Sequence, residues 1–227
     1  MTEQNLADRL SRAKSWLLAA SNLEREKKPE EIDQHTVFIF RYIAFNSLYG
    51  RWKLEGTEKL AWKQRDRFFD NLLTLHSADQ KRKGTKELIL RDALAACRSH
   101  WLRLIEDEFL DKEGYWYVQE HKQGFKGKYQ SQKFTALRRL NQQEYKALLH
   151  SIFSRVWVLR NQIMHGGATF GPASFGWESV KNVNPVLRIL VPAFSRLMEE
   201  YPDSVTWPPI PFPRIRSEQH PKRPLGA

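Results

Sequence analysis

Arg160, Asn161 and His165 fall in one short run, Trp157-Val158-Leu159-Arg160-Asn161-Gln162-Ile163-Met164-His165-Gly166-Gly167. Their types suit phosphate chemistry. RNA carries its own nucleophile, the 2′-hydroxyl. An enzyme need add only a group that moves protons and a cation that holds the phosphate as charge develops. Imidazole titrates near neutrality and meets the first need. A guanidinium fork meets the second without a metal. The Asn161 amide can hold either the histidine ring or the phosphate.

The spacing brings the three together. A helix turns about 100° per residue, so residues four apart are neighbours on one face. Asn161 and His165 are such a pair, and Arg160 adjoins Asn161. Leu148, Leu149, Ile152, Val156, Leu159 and Ile163 share one broad apolar face, with Phe153, Trp157 and Met164 on its shoulder. Arg160 falls between these groups, where a buried charge is costly unless it is paired or hydrogen-bonded. The plain alternative is that arginine and histidine here only complement the negative end of the helix dipole.

A second basic stretch stands upstream. From His121 through Gln143 there is no acidic residue, but there are Lys122, Lys126, Lys128, Lys133, Arg138 and Arg139, interleaved with Phe125, Tyr129 and Phe134. Cations among aromatics suit phosphate contact and base stacking. The same residues also suit a solvated loop whose aromatic rings tuck onto the fold.

These groups must be positioned by helices. Leu6, Leu10, Leu17 and Leu18 sit near helical spacing in a first helix over 2–27. A second is expected over 31–54, with Pro29 suited to its first position. Its middle, Val37 to Tyr49, is apolar all round, as in the buried centre of a bundle. A third helix is expected over 57–76 with Thr57 as N-cap, then a polar basic loop over 77–84. A fourth is expected over 85–110. The segment 111–140 reads as a basic aromatic insertion, with a short hairpin at 115–118. A fifth helix over 141–164 ends at Gly166-Gly167, and a sixth over 178–200 is broken or kinked by Pro185 and Pro192. The expectation is an all-α, up-and-down bundle of about five to six helices in one domain, 1–200. A proline-rich basic tail, 201–227, either straps the bundle or is disordered.

Two of these segments, in this order, resemble one known family. Arg160-Asn161-Gln162-Ile163-Met164-His165 resembles the HEPN signature, an arginine, a polar residue and then a histidine. Tyr42-Ile43-Ala44-Phe45-Asn46-Ser47-Leu48-Tyr49-Gly50 resembles the helix that packs against the signature helix. The resemblance implies a helical bundle, commonly dimeric, in which two signature helices meet across a two-fold axis. Many members are metal-independent endoribonucleases in toxin–antitoxin, CRISPR-associated or antiviral systems. Others only bind RNA or nucleotides, or act as scaffolds. It implies that Arg160 and His165 are catalytic and that Asn161 supports them. Asn46, a polar residue in an apolar helix, is expected beside the site, orienting Arg160 or His165, or else bonding a neighbouring backbone. Arg41 in the same helix is expected to pair with an acid from another helix. The implied partners are RNA, a second copy of the chain and a cognate antitoxin or regulator, and no cofactor is called for.

Composition agrees with a polyanion partner. In 227 residues, 37 lysines and arginines face 26 aspartates and glutamates, a net charge of +11. Such a surface favours nucleic acid. Hydrophobic residues make up 41%, enough for a sizeable core. Cys97 is the only cysteine, which excludes an internal disulfide and suits a reducing compartment. The remaining histidines, His35, His76, His100, His121 and His150, show no metal-ligand spacing. The start of the chain has no secretory pattern, and the longest apolar run is interrupted by Arg41 and Asn46. A cytoplasmic protein without a membrane span is the expectation.

Overall fold

Asp33 starts the central helix. Its carboxylate accepts from the backbone N–H groups of His35 and Thr36 at 3.0 and 3.1 Å, two of the donors that a helix start leaves open. The computed structural model describes residues 2–26, 32–50, 58–111, 125–165, 171, 176–208 and 210. Within them are eight α-helices and two 3₁₀ turns, and no strand. We label the helices α1 (Thr2–Arg25), α2 (Gln34–Tyr49), α3 (Glu58–Lys83), α4 (Ile89–Ala96), α5 (Arg98–Glu106), α6 (Phe125–Asn141), α7 (Tyr145–Met164) and α8 (Trp177–Glu200). Pro29 and Thr57 lie outside the described residues.

α2 is the hub. Val37, Phe38, Tyr42, Ala44, Phe45 and Leu48 are buried. Burying such side chains stabilises the fold by roughly 1.5–3 kcal/mol each. α1 runs antiparallel to it: Arg41 bonds Glu24, Trp16 meets Phe40 at 5.2 Å, and Arg9 reaches Leu48 O at 3.0 Å. The expected partner of Arg41 is thus Glu24 of α1. Arg9 also donates to Gly50 O at 2.7 Å and Pro208 O at 2.8 Å. One buried cation therefore satisfies carbonyls at the end of α2 and ties down the strand of chain after α8. α8 runs parallel to α2, with Asn184 bonded to Gln34 and Phe45 facing Phe194 at 6.3 Å.

α7 completes the core. Phe153 lies 4.3 Å from Phe45, ring centre to ring centre. α3 packs antiparallel to α7: Arg65 donates to Phe153 O at 3.1 Å, and His76 meets Tyr145 edge-on at 5.1 Å. After α8, Trp207 and Ile210 are buried, and Trp207 lies 6.2 Å from Phe68. The remainder of the tail, 211–227, lies outside the described residues.

Four expectations change. The helix over 57–76 continues through Ser77 to Lys83 because Asp79 is drawn inward and fully buried. Gly84, at φ 67°, ends it in the left-handed conformation that glycine accepts. The single helix over 85–110 becomes α4 and α5. There the Trp101 indole N–H takes Leu94 O at 2.9 Å, a carbonyl that a continuous helix would offer to the backbone. Part of the insertion is helix α6, joined to α7 through Gln143 at φ 59°; the proposed hairpin at 115–118 lies outside the described residues. The count of eight follows from this split and this added helix. Finally, α8 runs unbroken through Pro185 and Pro192. Each proline removes one backbone donor, while Val183, Val186, Leu187, Leu190, Val191, Phe194, Leu197 and Met198 hold the helix by burial.

Candidate functional site

The end of α7 is fixed from below. Gln162 is 1% exposed and donates to Phe109 O at 2.6 Å, anchoring the last turn on the 3₁₀ turn Glu108–Leu110. Val158 and Leu159 are buried on the same helix. Arg160 is half-buried, and its Nη1 donates to Asn161 Oδ1 at 2.9 Å. His165 is the C-cap residue, and its backbone N–H donates to Asn161 O at 3.0 Å. Its side chain is exposed and makes no hydrogen bond among the described residues. The structure therefore brings Arg160, Asn161 and His165 to one helix end. Gly166-Gly167 lies outside the described residues.

α2 reaches α7 through Phe45, 4.3 Å from Phe153 ring centre to ring centre. Tyr42 and Tyr49 are seven residues apart, two turns along one face, and their hydroxyls interact. Burial, reinforced by Tyr42, pushes the Tyr49 hydroxyl well above the usual 10, while the charges of Arg65 and Arg160 pull the other way. Arg160 thus acts electrostatically across the gap between α7 and α2. Burial lowers the Arg65 guanidinium to about 10, against the pull of Tyr49, Tyr42 and Asp66. The two tyrosines and Arg65 were not singled out from sequence. The seven-residue spacing of Tyr42 and Tyr49 in an apolar helix was the available signal.

Asn46 shares that face by spacing but not the expected role. Its side chain is exposed and makes no hydrogen bond to Arg160 or His165. The premise of a buried amide fails because α2 leaves this one position of its apolar stretch open to solvent.

The other basic residues of α7 are all matched. Lys146 meets Asp70 at 2.6 Å, His150 meets Asp66 at 2.6 Å, and Arg155 meets Asp111 at 3.4 Å. Arg160 has no carboxylate partner among the described residues.

The basic stretch is not a uniform strip. Lys122 and the side chains of Lys126 and Lys128 lie outside the described residues. Lys133 is paired with Glu106 at 2.6 Å. Arg139 turns toward α7 and donates to Ser151 Oγ at 2.7 Å. Arg138 is exposed, one turn from Phe134, which is 72% exposed. Among the described side chains of the stretch, these last two are a cation and an aromatic ring that face solvent.

Among the described residues no group of three histidines, cysteines or acids could hold a metal ion. None of the described helices is long and apolar enough to cross a membrane. Cys97 is buried, and burial pushes its thiol up to about 12, which keeps it an unreactive core residue. The chain matches no family model, and it shows no significant similarity to a curated protein or to a solved structure.

Proposed function

We propose that this protein is a metal-independent endoribonuclease of HEPN type, acting as a homodimer in which two α7 ends meet. The observation that carries the reading is Arg160. It is the one basic residue of α7 left without a carboxylate among the described residues, and it sits in the same last turns as an exposed histidine. A guanidinium held at a helix end by a neutral amide keeps its charge for an incoming anion.

In the proposed reaction the RNA 2′-oxygen attacks the adjacent phosphorus and loses its proton. The bond to the 5′-oxygen breaks, and that oxygen gains a proton. Products are a 2′,3′-cyclic phosphate and a 5′-hydroxyl. Arg160 stabilises the charge that grows on the phosphate oxygens, and Asn161 fixes the guanidinium. His165 moves protons or binds the phosphate. Tyr49 of α2, which feels the Arg160 charge, stands near the approach. A role in a toxin–antitoxin or antiviral system, with a cognate regulator in the cytoplasm, accords with this chemistry.

The second reading is an RNA-binding or scaffold module that does not cut. Exposed Phe134 beside exposed Arg138 favours it, since that pair suits stacking and phosphate contact without catalysis. One experiment separates the two. Purified protein is incubated with a mixed RNA pool in EDTA, and the product ends are mapped. Cleavage leaving cyclic phosphate ends supports the nuclease. Retention of RNA with no cleavage supports the binding module.

A further inference from the structure

A cavity of about 310 Å³, lined by both polar and apolar groups, opens between α5, α6 and α7, away from the site above. Two helix stripes face each other across it. On α6, Ser131, Thr135 and Arg139 recur every four residues, along one face. On α7, Ser151 and Arg155 are four apart on one face, with Ser154 three residues from Ser151 beside them. Two packed helices ordinarily bring apolar side chains together at such positions. Here both stripes carry hydroxyls and one guanidinium each.

The cavity runs from exposed Ser131 down to Arg155, which is 6% exposed. Arg155 is held in place by Gln132 Oε1 and by Ile105 O at 3.4 Å. Its one carboxylate, Asp111, stands at 3.4 Å. Arg139 is fixed by Ser151 Oγ at 2.7 Å and has Glu144 no nearer than 4.0 Å. Among the described lining residues two cations therefore face one carboxylate, while Glu144 reaches Arg139 from outside the lining. The hydroxyls of Ser151 and Ser154 donate to Ala147 O and Ser151 O. Those of Ser131 and Thr135 make no hydrogen bond among the described residues, so both can donate to a ligand. Arg160, Asn161 and His165 are not among the residues lining the cavity, so the cavity and the α7 end are separate places.

We propose that this cavity binds the phosphate group of a small phosphorylated molecule. Arg155 forms its charged floor. Arg139 closes on the phosphate from the side, and Ser131 and Thr135 donate from α6. Guanidinium pairs are matched to phosphate oxygens in geometry and charge. The volume admits a phosphate monoester with part of its organic group, near the lower bound of ordinary ligand sites at roughly 300 Å³.

Calorimetric titration of the full chain tests this with three probes: inorganic phosphate, adenosine monophosphate and adenosine. The expected result is binding of adenosine monophosphate and of phosphate but not of adenosine. A monophosphate tighter than inorganic phosphate marks an organic phosphate as the ligand; equal affinity marks free phosphate. Arg139→Gln should weaken binding at least tenfold, and the isosteric Thr135→Val several-fold. Arg103→Gln removes the same charge from an exposed position of α5 and should change little. Should Arg139→Gln fail to fold, Thr135→Val decides. The proposal is overturned if wild type binds neither phosphate probe, or if adenosine binds as well as its monophosphate. It is equally overturned if both cavity variants bind like wild type, or if Arg160→Ala abolishes binding while Arg139→Gln retains it.

Discussion

Where α3 and α8 end side by side, cations and carboxylates are matched. Lys83 contacts Asp79 at 3.0 Å and Glu200 at 3.1 Å, Arg196 meets Glu200 at 2.7 Å, and Arg82 joins Glu200 while lying 4.8 Å over the Tyr201 ring. Asp79 is fully buried and also accepts from Ile89 N–H at 2.9 Å and Tyr201 O–H at 2.7 Å. Among the described residues the end of α7 has none of this matching. Arg160 bonds an amide, and the His165 ring bonds nothing described. A buried network with every member paired makes a fold rigid and specific. Polar groups held in place without counter-charges are arranged for something that arrives. The same residue types thus build structure at one helix end and a candidate site at the other.

The largest expected effect on stability is at the matched end. Asp79→Ala leaves the Ile89 N–H and the Tyr201 hydroxyl without their acceptor in a buried setting. It should cost about 3 kcal/mol in urea unfolding. A loss under about 1 kcal/mol would mean that the network is not what holds α3, α4 and α8 together.

Acid should act next. Burial lowers the imidazoles of His35 and His76, against the opposing pull of Asp33 and Asp79 respectively. The unfolded chain therefore takes up protons first as pH falls. Stability should be full above the ordinary histidine value of 6.5 and decline below it, until the folded state titrates too. The slope is at most about 1.4 kcal/mol per pH unit for each histidine. The Asp79 carboxyl, which burial raises, is carried below its ordinary 3.8 by the bonds from Ile89, Tyr201 and Lys83. Its contribution is present above that value and is lost only at still lower pH. Unfolding midpoints between pH 8 and 5 check the histidine window. A flat profile would contradict it.

The smallest effect on stability should come from Arg160→Ala, within about 0.5 kcal/mol of wild type, since a half-buried residue with one neutral partner contributes little. A loss as large as that of Asp79→Ala would make Arg160 a structural residue and erase the contrast between the two helix ends.

Much of this arrangement was legible in the sequence. The all-round apolar pattern of α2 announced the hub, and the four-residue repeat of α7 placed Arg160, Asn161 and His165 together. Arg41 found its acid on another helix, as an arginine in an apolar segment must. What escaped depended on single side-chain bonds. The break between α4 and α5 turns on the Trp101 indole taking one carbonyl. The extension of α3 turns on Asp79 facing Tyr201, 122 residues away. α6 hid behind Gly127 and its aromatics, and so did the inward turn of Arg139. The exposure of Asn46 was not legible, because periodicity around a nearly uniform apolar helix does not say which position the neighbours leave open.

The most direct test of the central claim is the single-turnover rate of RNA cleavage in EDTA. Wild type and Arg160→Ala are compared at matched urea midpoints. The account predicts cleavage by wild type and a loss on the order of a hundred- to a thousandfold in the variant, the cost of removing one charge-stabilising donor. Equal rates in the two proteins would contradict it.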